Sequence, residues 1–151
     1  MIFRYTNSEV SKLYCSEAKV EVRYGETDQM GVVYHANYII YMEVGRVQLM
    51  KDLGFVYADL EDIGYVSPVM DLQVSYKAAL RYGQTVTIRT WIEKHERVRT
   101  TYGYEILHED GTVAATATSV HALVTKDGLR PVALRKVAPE WDAAYVKAAK
   151  Q

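Results

Sequence analysis

The chain has 151 residues, of which 49% are hydrophobic and 25% are charged. This is the composition of one ordinary globular domain, and it excludes an intrinsically disordered chain. Lys and Arg number 18 against 19 Asp and Glu, a formal net charge of −1, whereas a nucleic-acid-binding protein carries a clustered basic excess. One cysteine excludes an internal disulfide, and no apolar run is long enough to span a membrane, so we expect a cytoplasmic protein.

The first predicted elements are a strand and a long helix. Alternating apolar residues predict a strand over residues 18–26, and a loop follows over 27–36. Apolar residues three or four apart then predict a helix over 38–53, with Asn37 as its N-cap. Gly45 costs a helix about 1 kcal/mol relative to Ala, so we expect the backbone of another element to lie close to it.

After this helix the apolar period changes to two residues. The pattern predicts a short helical turn over 56–62, four long strands over 65–77, 84–94, 98–108 and 112–125, and a terminal helix over 140–150. The order of one strand, one helix and four strands indicates an α+β fold with a five-stranded antiparallel sheet.

A single helix covers only one face of such a sheet. Trp91, Tyr102, Tyr104 and Val120 suggest that the other face is not fully polar. We therefore expect a second copy of the chain to cover it, giving a dimer or a tetramer.

The loop before the long helix holds the residues that could carry chemistry. Asp28 follows the first strand, and His35 adjoins the helix start, whose unpaired N–H groups favour negative charge on a carbonyl oxygen. Together these groups could attack and polarise a carbonyl. The spacing alone equally fits a turn residue at Asp28, a structural imidazole at His35, and packing roles for Tyr34 and Tyr38.

Residues 28–38, DQMGVVYHANY, followed by Glu43, resemble the D-x-x-G-x-V-x-[HYW]-x-x-Y signature of hot-dog-fold thioesterases. The closest branch is the 4-hydroxybenzoyl-CoA thioesterase-like family with its Tol–Pal-cluster acyl-CoA thioesterases. Residues 74–76 with 79–83, and 129–131 with Leu134, resemble later segments of the same family. The resemblance covers about 18–136 and implies one hot-dog domain over 1–151, with a long central helix wrapped by a five-stranded antiparallel sheet.

The resemblance also implies residue roles. Asp28 would be the catalytic carboxylate, acting as a nucleophile or as a general base on water. The backbone N–H of His35 would contact the oxyanion, and its side chain would assist catalysis. Tyr34 and Tyr38 would line the acyl pocket. Glu43 matches an acidic helix position that could contact substrate, although a structural carboxylate paired with Arg46 is an equal interpretation.

The expected reaction is hydrolysis of an acyl-CoA to a free acid and CoA. A thioester carbonyl is poorly resonance-stabilised, so we expect neither a metal nor a cofactor. The alternatives are a hot-dog hydratase or dehydratase and a non-catalytic module that binds acyl-CoA or acyl-carrier protein. The sequence does not distinguish between short, medium-chain and aromatic acyl groups as the substrate. The candidate residues for the acyl pocket are Tyr34, Tyr38, Tyr41, Met42 and Tyr65.

Basic side chains would have to bind the CoA phosphates, because the sequence has no phosphate-cradling glycine loop. The candidates are Lys77, Arg81 and Arg130, and Arg97 and Arg99 have the same status. Each of these side chains is equally explained as a solvated surface charge. The remaining histidines, His95, His108 and His121, lack metal-ligand spacing, and we expect His121 to lie in the core or at an interface.

Overall fold

A long helix lies across a five-stranded antiparallel sheet in the computed structural model, which describes residues 14–150. The strands are β1 (Cys15–Glu21), β2 (Tyr65–Val66), β3 (Val69–Tyr76), β4 (Thr85–His95), β5 (Arg99–Leu107), β6 (Val113–Ala122) and β7 (Val124–Thr125). The helices are α1 (Asn37–Asp52), α2 (Tyr57–Asp62), α3 (Leu134–Val137) and α4 (Pro139–Ala148). The predicted α+β class is confirmed, while the proposed domain bounds of 1–151 reach beyond the described residues.

The strands of the sheet lie in the order β1-β4-β5-β6-β3, and every neighbouring pair is antiparallel. Strands β2 and β7 pair with each other separately. The predicted strand over 65–77 is therefore divided in two, with the break at Pro68, which has no N–H to donate to a ladder. The predicted first strand ends early because Tyr24–Glu26 form a 3-10 turn.

Helix α1 begins and ends one residue earlier than predicted. Its buried side packs Tyr41, Met42 and Leu49 against the sheet. A Cβ at Gly45 would lie 2.7 Å from Ile88 Cγ2, and nearer still to Thr90 Oγ1. The predicted close approach is therefore real, but side chains of β4 make it rather than a backbone.

The expectation that Trp91, Tyr102 and Tyr104 all lie on the sheet face without the helix is correct for Trp91 and wrong for the two tyrosines. Thr90 pairs with Tyr104 across the β4–β5 ladder, and this register turns Tyr104 and Tyr102 toward α1, where both are buried. Trp91 pairs with Gly103 on the opposite face and lies over it, because a Cβ there would collide with the indole ring. The face without α1 therefore holds fewer aromatic residues than the sequence indicated.

The sheet has two ends with different contents. Strands β1, β3 and β5 finish next to the beginning of α1, and we call this the helix-start end. Helix α1 finishes at the opposite end, which we call the far end, where the Ser16 hydroxyl donates to Asp52 at 2.6 Å. An 11-residue strand such as β4 spans about 33 Å between the two ends. None of the helices in the described range 14–150 is long and apolar enough to cross a membrane.

Candidate active site

An open cleft of about 320 Å³ lies at the helix-start end. Its walls are Asp28, Met30, Val32, Val33, His35, Tyr38, Tyr76, Lys77, Ala78 and Ala79. The cleft therefore brings together three of the predicted site residues, Asp28, His35 and Tyr38. It adds Tyr76, which had no predicted role beyond its place in a family-like segment.

The loop that carries Asp28 is held in a tight turn. The Met30 N–H donates to Asp28 Oδ1 at 2.8 Å, and the Gly31 N–H donates to the Asp28 carbonyl oxygen at 2.9 Å. Gly31 has φ +76°, a conformation that favours glycine. Within residues 14–150 the second carboxylate oxygen, Oδ2, has no hydrogen-bond partner. One oxygen thus fixes the orientation of the carboxylate, and the other is available for chemistry.

The start of α1 is uncapped by any side chain. The predicted N-cap, Asn37, is wrong: it is the first helical residue, Ala36 occupies the cap position, and the Asn37 amide instead donates to the Glu26 carbonyl oxygen at 2.8 Å. Among the described residues, no acceptor is found for the His35 N–H. The Asn37 and Ile39 N–H groups already donate to carbonyl oxygens, whereas the His35 N–H stays available for an oxygen in the cleft.

Glu26 holds the loop and the helix start together, and sequence reasoning missed it. Its buried carboxylate accepts the Arg23 N–H at 2.8 Å, the Arg23 guanidinium at 3.1 Å and the Tyr41 hydroxyl at 3.0 Å. Its carbonyl oxygen accepts the Tyr34 N–H at 2.9 Å. Burial raises the pKa of the Glu26 carboxyl, but the hydrogen bonds from Arg23 and Tyr41 outweigh it and leave that pKa lowered. Glu26 is therefore a charged anchor beneath the cleft.

Aromatic rings form one side of the cleft. The Tyr38 and Tyr76 rings meet edge to face, with centroids 5.0 Å apart, and the Tyr76 hydroxyl donates to the His35 carbonyl oxygen at 2.8 Å. Burial raises the pKa of both phenols, which keeps them neutral near pH 7. Tyr34 lies outside the cleft lining, 45% exposed, with its ring 4.4 Å from the His35 imidazole.

Glu43 lies away from the cleft on the exposed surface of α1. It is eight residues from His35, about 12 Å along a helix axis, and it is not part of the cleft wall. Within residues 14–150 Glu43 and Arg46 form no ion pair, and the Arg46 guanidinium donates to the Tyr104 hydroxyl at 3.1 Å. Within residues 14–150 the Glu43 carboxylate has no hydrogen-bond or ion-pair partner.

The candidate phosphate-binding cations divide between the two ends of the sheet. Lys77 lines the cleft, and Arg81 lies beside it, donating from Nη1 to the Gly31 carbonyl oxygen at 3.2 Å. The other three belong to the far end, around the β4–β5 hairpin and the segment paired with β7: Arg97, Arg99 and Arg130.

The other pocket candidates are also elsewhere. Tyr41 and Met42 are buried in the core beneath α1, and Tyr65 lies in β2 at the far end. His95 and His121 line a small far-end cavity of about 40 Å³. His121 is a core histidine as expected, and burial, with the nearby Arg46 charge, lowers its pKa to about 4. In the described part of the chain, no three His, Cys, Asp or Glu side chains are grouped as metal ligands.

Comparison with known proteins bears on this geometry. Residues 22–142 match the sequence model of the Thioesterase-like superfamily. YneP of Bacillus subtilis (strain 168), provisionally named an acyl-CoA thioesterase, is 50% identical over 138 residues, covering 91% of this chain and all of its own length. The acyl-CoA thioester hydrolase YbgC of Escherichia coli O157:H7 is 29% identical, covering 78% of this chain and 87% of its own length.

A crystal structure of a DHNA-CoA thioesterase from Staphylococcus aureus superposes with a TM-score of 0.87 and 43% identity. The match covers 88% of this chain and 89% of that one. The arrangement of one long helix on a five-stranded antiparallel sheet is therefore shared over most of both chains.

Proposed function

The chain belongs to the Thioesterase-like superfamily, which confirms the predicted family, hot-dog fold and enzyme class; on that premise we propose that it hydrolyses acyl-CoA thioesters through Asp28. The observation that carries this proposal is the cleft itself, where the half-buried Asp28 carboxylate and the uncapped helix start at His35 line one space. A carboxylate that attacks or activates water, and a backbone N–H that stabilises the oxyanion, together supply the chemistry for thioester hydrolysis.

The proposed chemistry uses these groups as follows. The His35 N–H donates to the thioester oxygen, which becomes negatively charged as the carbonyl carbon is attacked. In the nucleophilic route, Asp28 attacks this carbon and the CoA thiolate leaves and takes up a proton. Water then cleaves the mixed anhydride to the free acid and restores the carboxylate. In the general-base route, Asp28 takes a proton from the attacking water, the same thiolate leaves, and that proton passes to the thiolate, which gives CoA and restores the carboxylate.

For the acyl group we propose an aromatic ring. The Tyr38 and Tyr76 rings supply an aromatic wall, and Val32 and Ala79 add apolar surface beside it. Aromatic rings gain from edge-to-face and offset contacts beyond the area that they bury. The Staphylococcus aureus relative at 43% identity is named for DHNA-CoA, which supports the same choice. Medium-chain and short acyl groups are the competing outcomes of the test.

The test is thiol release from a panel of aromatic, medium-chain and short acyl-CoAs, DHNA-CoA included. Asp28→Asn should lower kcat by at least about 100-fold and keep the fold and the affinity for CoA. Asp62→Asn, at the exposed end of α2, is the matched control and should retain wild-type activity. Equal rates for Asp28→Asn and the wild type would remove Asp28 from the mechanism. A folded wild type that binds CoA esters without turnover would indicate a non-catalytic module.

We also propose that the enzyme is a cytoplasmic homo-oligomer, a dimer or a tetramer. In support, the outer side of α1 exposes Ile40, Val44 and Val47, an apolar row at helical spacing. Light scattering should give a multiple of the 17.2 kDa chain mass. A particle of one chain mass would contradict this proposal without affecting that for Asp28.

A further inference from the structure

Two exposed tyrosine rings lie side by side near the cleft. Tyr24 is 75% exposed and Tyr82 is 63% exposed, and their rings meet nearly at right angles with centroids 5.6 Å apart. A single exposed apolar side chain needs no explanation, but adjacent aromatic rings on one surface indicate a binding site. Neither ring belongs to the cleft wall, so the proposed hydrolysis does not account for them.

Hydrogen bonds hold the two short turns that carry these rings. The Thr27 hydroxyl donates to the Tyr24 carbonyl oxygen at 2.7 Å and closes the 3-10 turn. The turn that carries Tyr82 is closed by the Arg81 N–H, which donates to the Gln84 side chain at 2.7 Å. The two turns are joined because the Val22 N–H donates to the Gln84 carbonyl oxygen at 2.9 Å. The backbone that carries the pair is thus ordered before a ligand binds, which lowers the entropy cost of binding.

The pair is continuous with the cleft through a basic segment. Ala79 is in the cleft wall, and Tyr82 is three residues further on, at most about 11 Å along an extended chain. Lys77 precedes that segment, and Arg81 lies within it, beside the loop that carries Asp28. Arg81 therefore adjoins both Tyr82 and the loop that carries the candidate catalytic carboxylate, and Lys77 adds a second cation in the cleft wall.

We propose that Tyr24 and Tyr82 bind the adenine ring of the CoA substrate, with Arg81 and Lys77 at its phosphate groups. This inference rests on the proposed function and names the nucleotide end of the same site. A CoA thioester carries its reacting carbonyl at one end, negative phosphates in its middle and a flat base at the other end. The cleft with Lys77, the adjoining Arg81 and the ring pair beside it offer chemistry that matches these three parts. Stacking of bases on aromatic side chains is a general mode of base binding.

The test compares a complete substrate with one that lacks the nucleotide. Tyr82→Ala and Tyr24→Ala should each raise KM for acyl-CoA about 5- to 50-fold, with kcat unchanged. The same variants should leave the KM for the matching acyl-pantetheine unchanged. Tyr82→Phe keeps the ring and should behave as the wild type. Val146→Ala removes exposed apolar surface from α4 and is the control for that loss.

Calorimetry with adenosine 3′,5′-bisphosphate gives a readout that needs no turnover. The wild type should bind this probe, and Tyr82→Ala should bind it about 5- to 50-fold more weakly. The proposal is overturned if the wild type does not bind the probe, or if Tyr82→Ala binds it with unchanged affinity. It is also overturned if the variants raise the KM for acyl-CoA and the KM for acyl-pantetheine by the same factor. A Tyr82→Ala protein that keeps its probe affinity but dissociates into single chains would make the pair a subunit interface. Probe binding through the pair without hydrolysis of any acyl-CoA would contradict the proposed function alone.

Discussion

The Tyr76 hydroxyl donates a 2.8 Å hydrogen bond to the His35 carbonyl oxygen, and so joins the end of an edge strand to the start of α1. This bond holds the residue whose N–H is the proposed oxyanion donor. Tyr76→Phe removes the bond and keeps the ring against Tyr38. Because a neutral hydrogen bond contributes about 1 kcal/mol, we expect kcat to fall about 5-fold, with a smaller change in KM, in steady-state kinetics.

Tyr57→Phe is the matched control for this prediction. The Tyr57 hydroxyl accepts the Ser67 N–H at 2.8 Å, and it lies at the far end of the sheet. The Tyr57→Phe variant should lower the free energy of unfolding by a similar amount and leave kcat unchanged. If the two variants lose kcat equally, the effect of Tyr76 is on general stability and not on the position of His35.

Glu26→Gln tests the anchor beneath the cleft. The variant loses the charge that the Arg23 and Tyr41 donors stabilise, so we expect the free energy of unfolding to fall by about 1–3 kcal/mol in urea titrations. Since the folded-state pKa of Glu26 is lowered, its contribution is complete above pH 4.5 and is lost as the pH falls through the folded value. Glu21→Gln, an exposed carboxylate at the end of β1, should change stability by less than about 0.5 kcal/mol. Equal losses at the two positions would count against the anchor.

The main elements of the fold could be predicted from the sequence because each has one dominant period. Helix α1 shifted by one residue, and four of the five sheet strands were found nearly where the two-residue period placed them. What the pattern could not supply was which face of each strand meets the helix. The cross-strand register places Tyr102 and Tyr104 opposite Ile92 and Thr90, on the face that meets α1, and places Trp91 opposite Gly103 on the other face.

The candidate site was predictable where the chain itself brings residues together. Asp28 and His35 share one loop, so their meeting in the cleft follows from local sequence. Tyr76 comes from a distant strand, and Glu26 looks like an ordinary polar residue at a strand end until its three donors are seen. Arg130 lies at the far end of the sheet, which could not be foreseen because no local pattern states at which end of the sheet a loop lies.

His121 should make the protein sensitive to acid. Its pKa is lowered to about 4 from 6.5 because it is buried, with the Arg46 charge as a further cause. The unfolded chain therefore binds a proton more readily than the folded one between these values, and stability is lost as the pH falls through that window. We expect the titration of His121 to lower the free energy of unfolding by about 2 kcal/mol between pH 7 and 4.5.

The measurement is urea unfolding at a series of pH values, together with an NMR titration of the His121 ring. His121→Gln should show a shallower loss between pH 6.5 and 4. Other groups, including Glu26, titrate in both proteins, so the difference between the two curves isolates His121. A ring signal that titrates near 6.5 in the folded protein would contradict the prediction.

Gly45→Ala tests the contact between α1 and β4. Ala favours a helix over Gly by about 1 kcal/mol, yet the new Cβ would lie 2.7 Å from Ile88 Cγ2 and closer still to Thr90 Oγ1. Because overpacking a core costs about 1–3 kcal/mol, we expect a net loss of stability in urea unfolding. Gly25→Ala is the control, since its Cβ meets no atom within 4 Å. Thr90→Ala removes the nearer contact and a buried hydroxyl with no partner in residues 14–150. The double variant should therefore recover at least about 0.5 kcal/mol relative to the sum of the single losses, and strict additivity would show that the two residues do not compete for space.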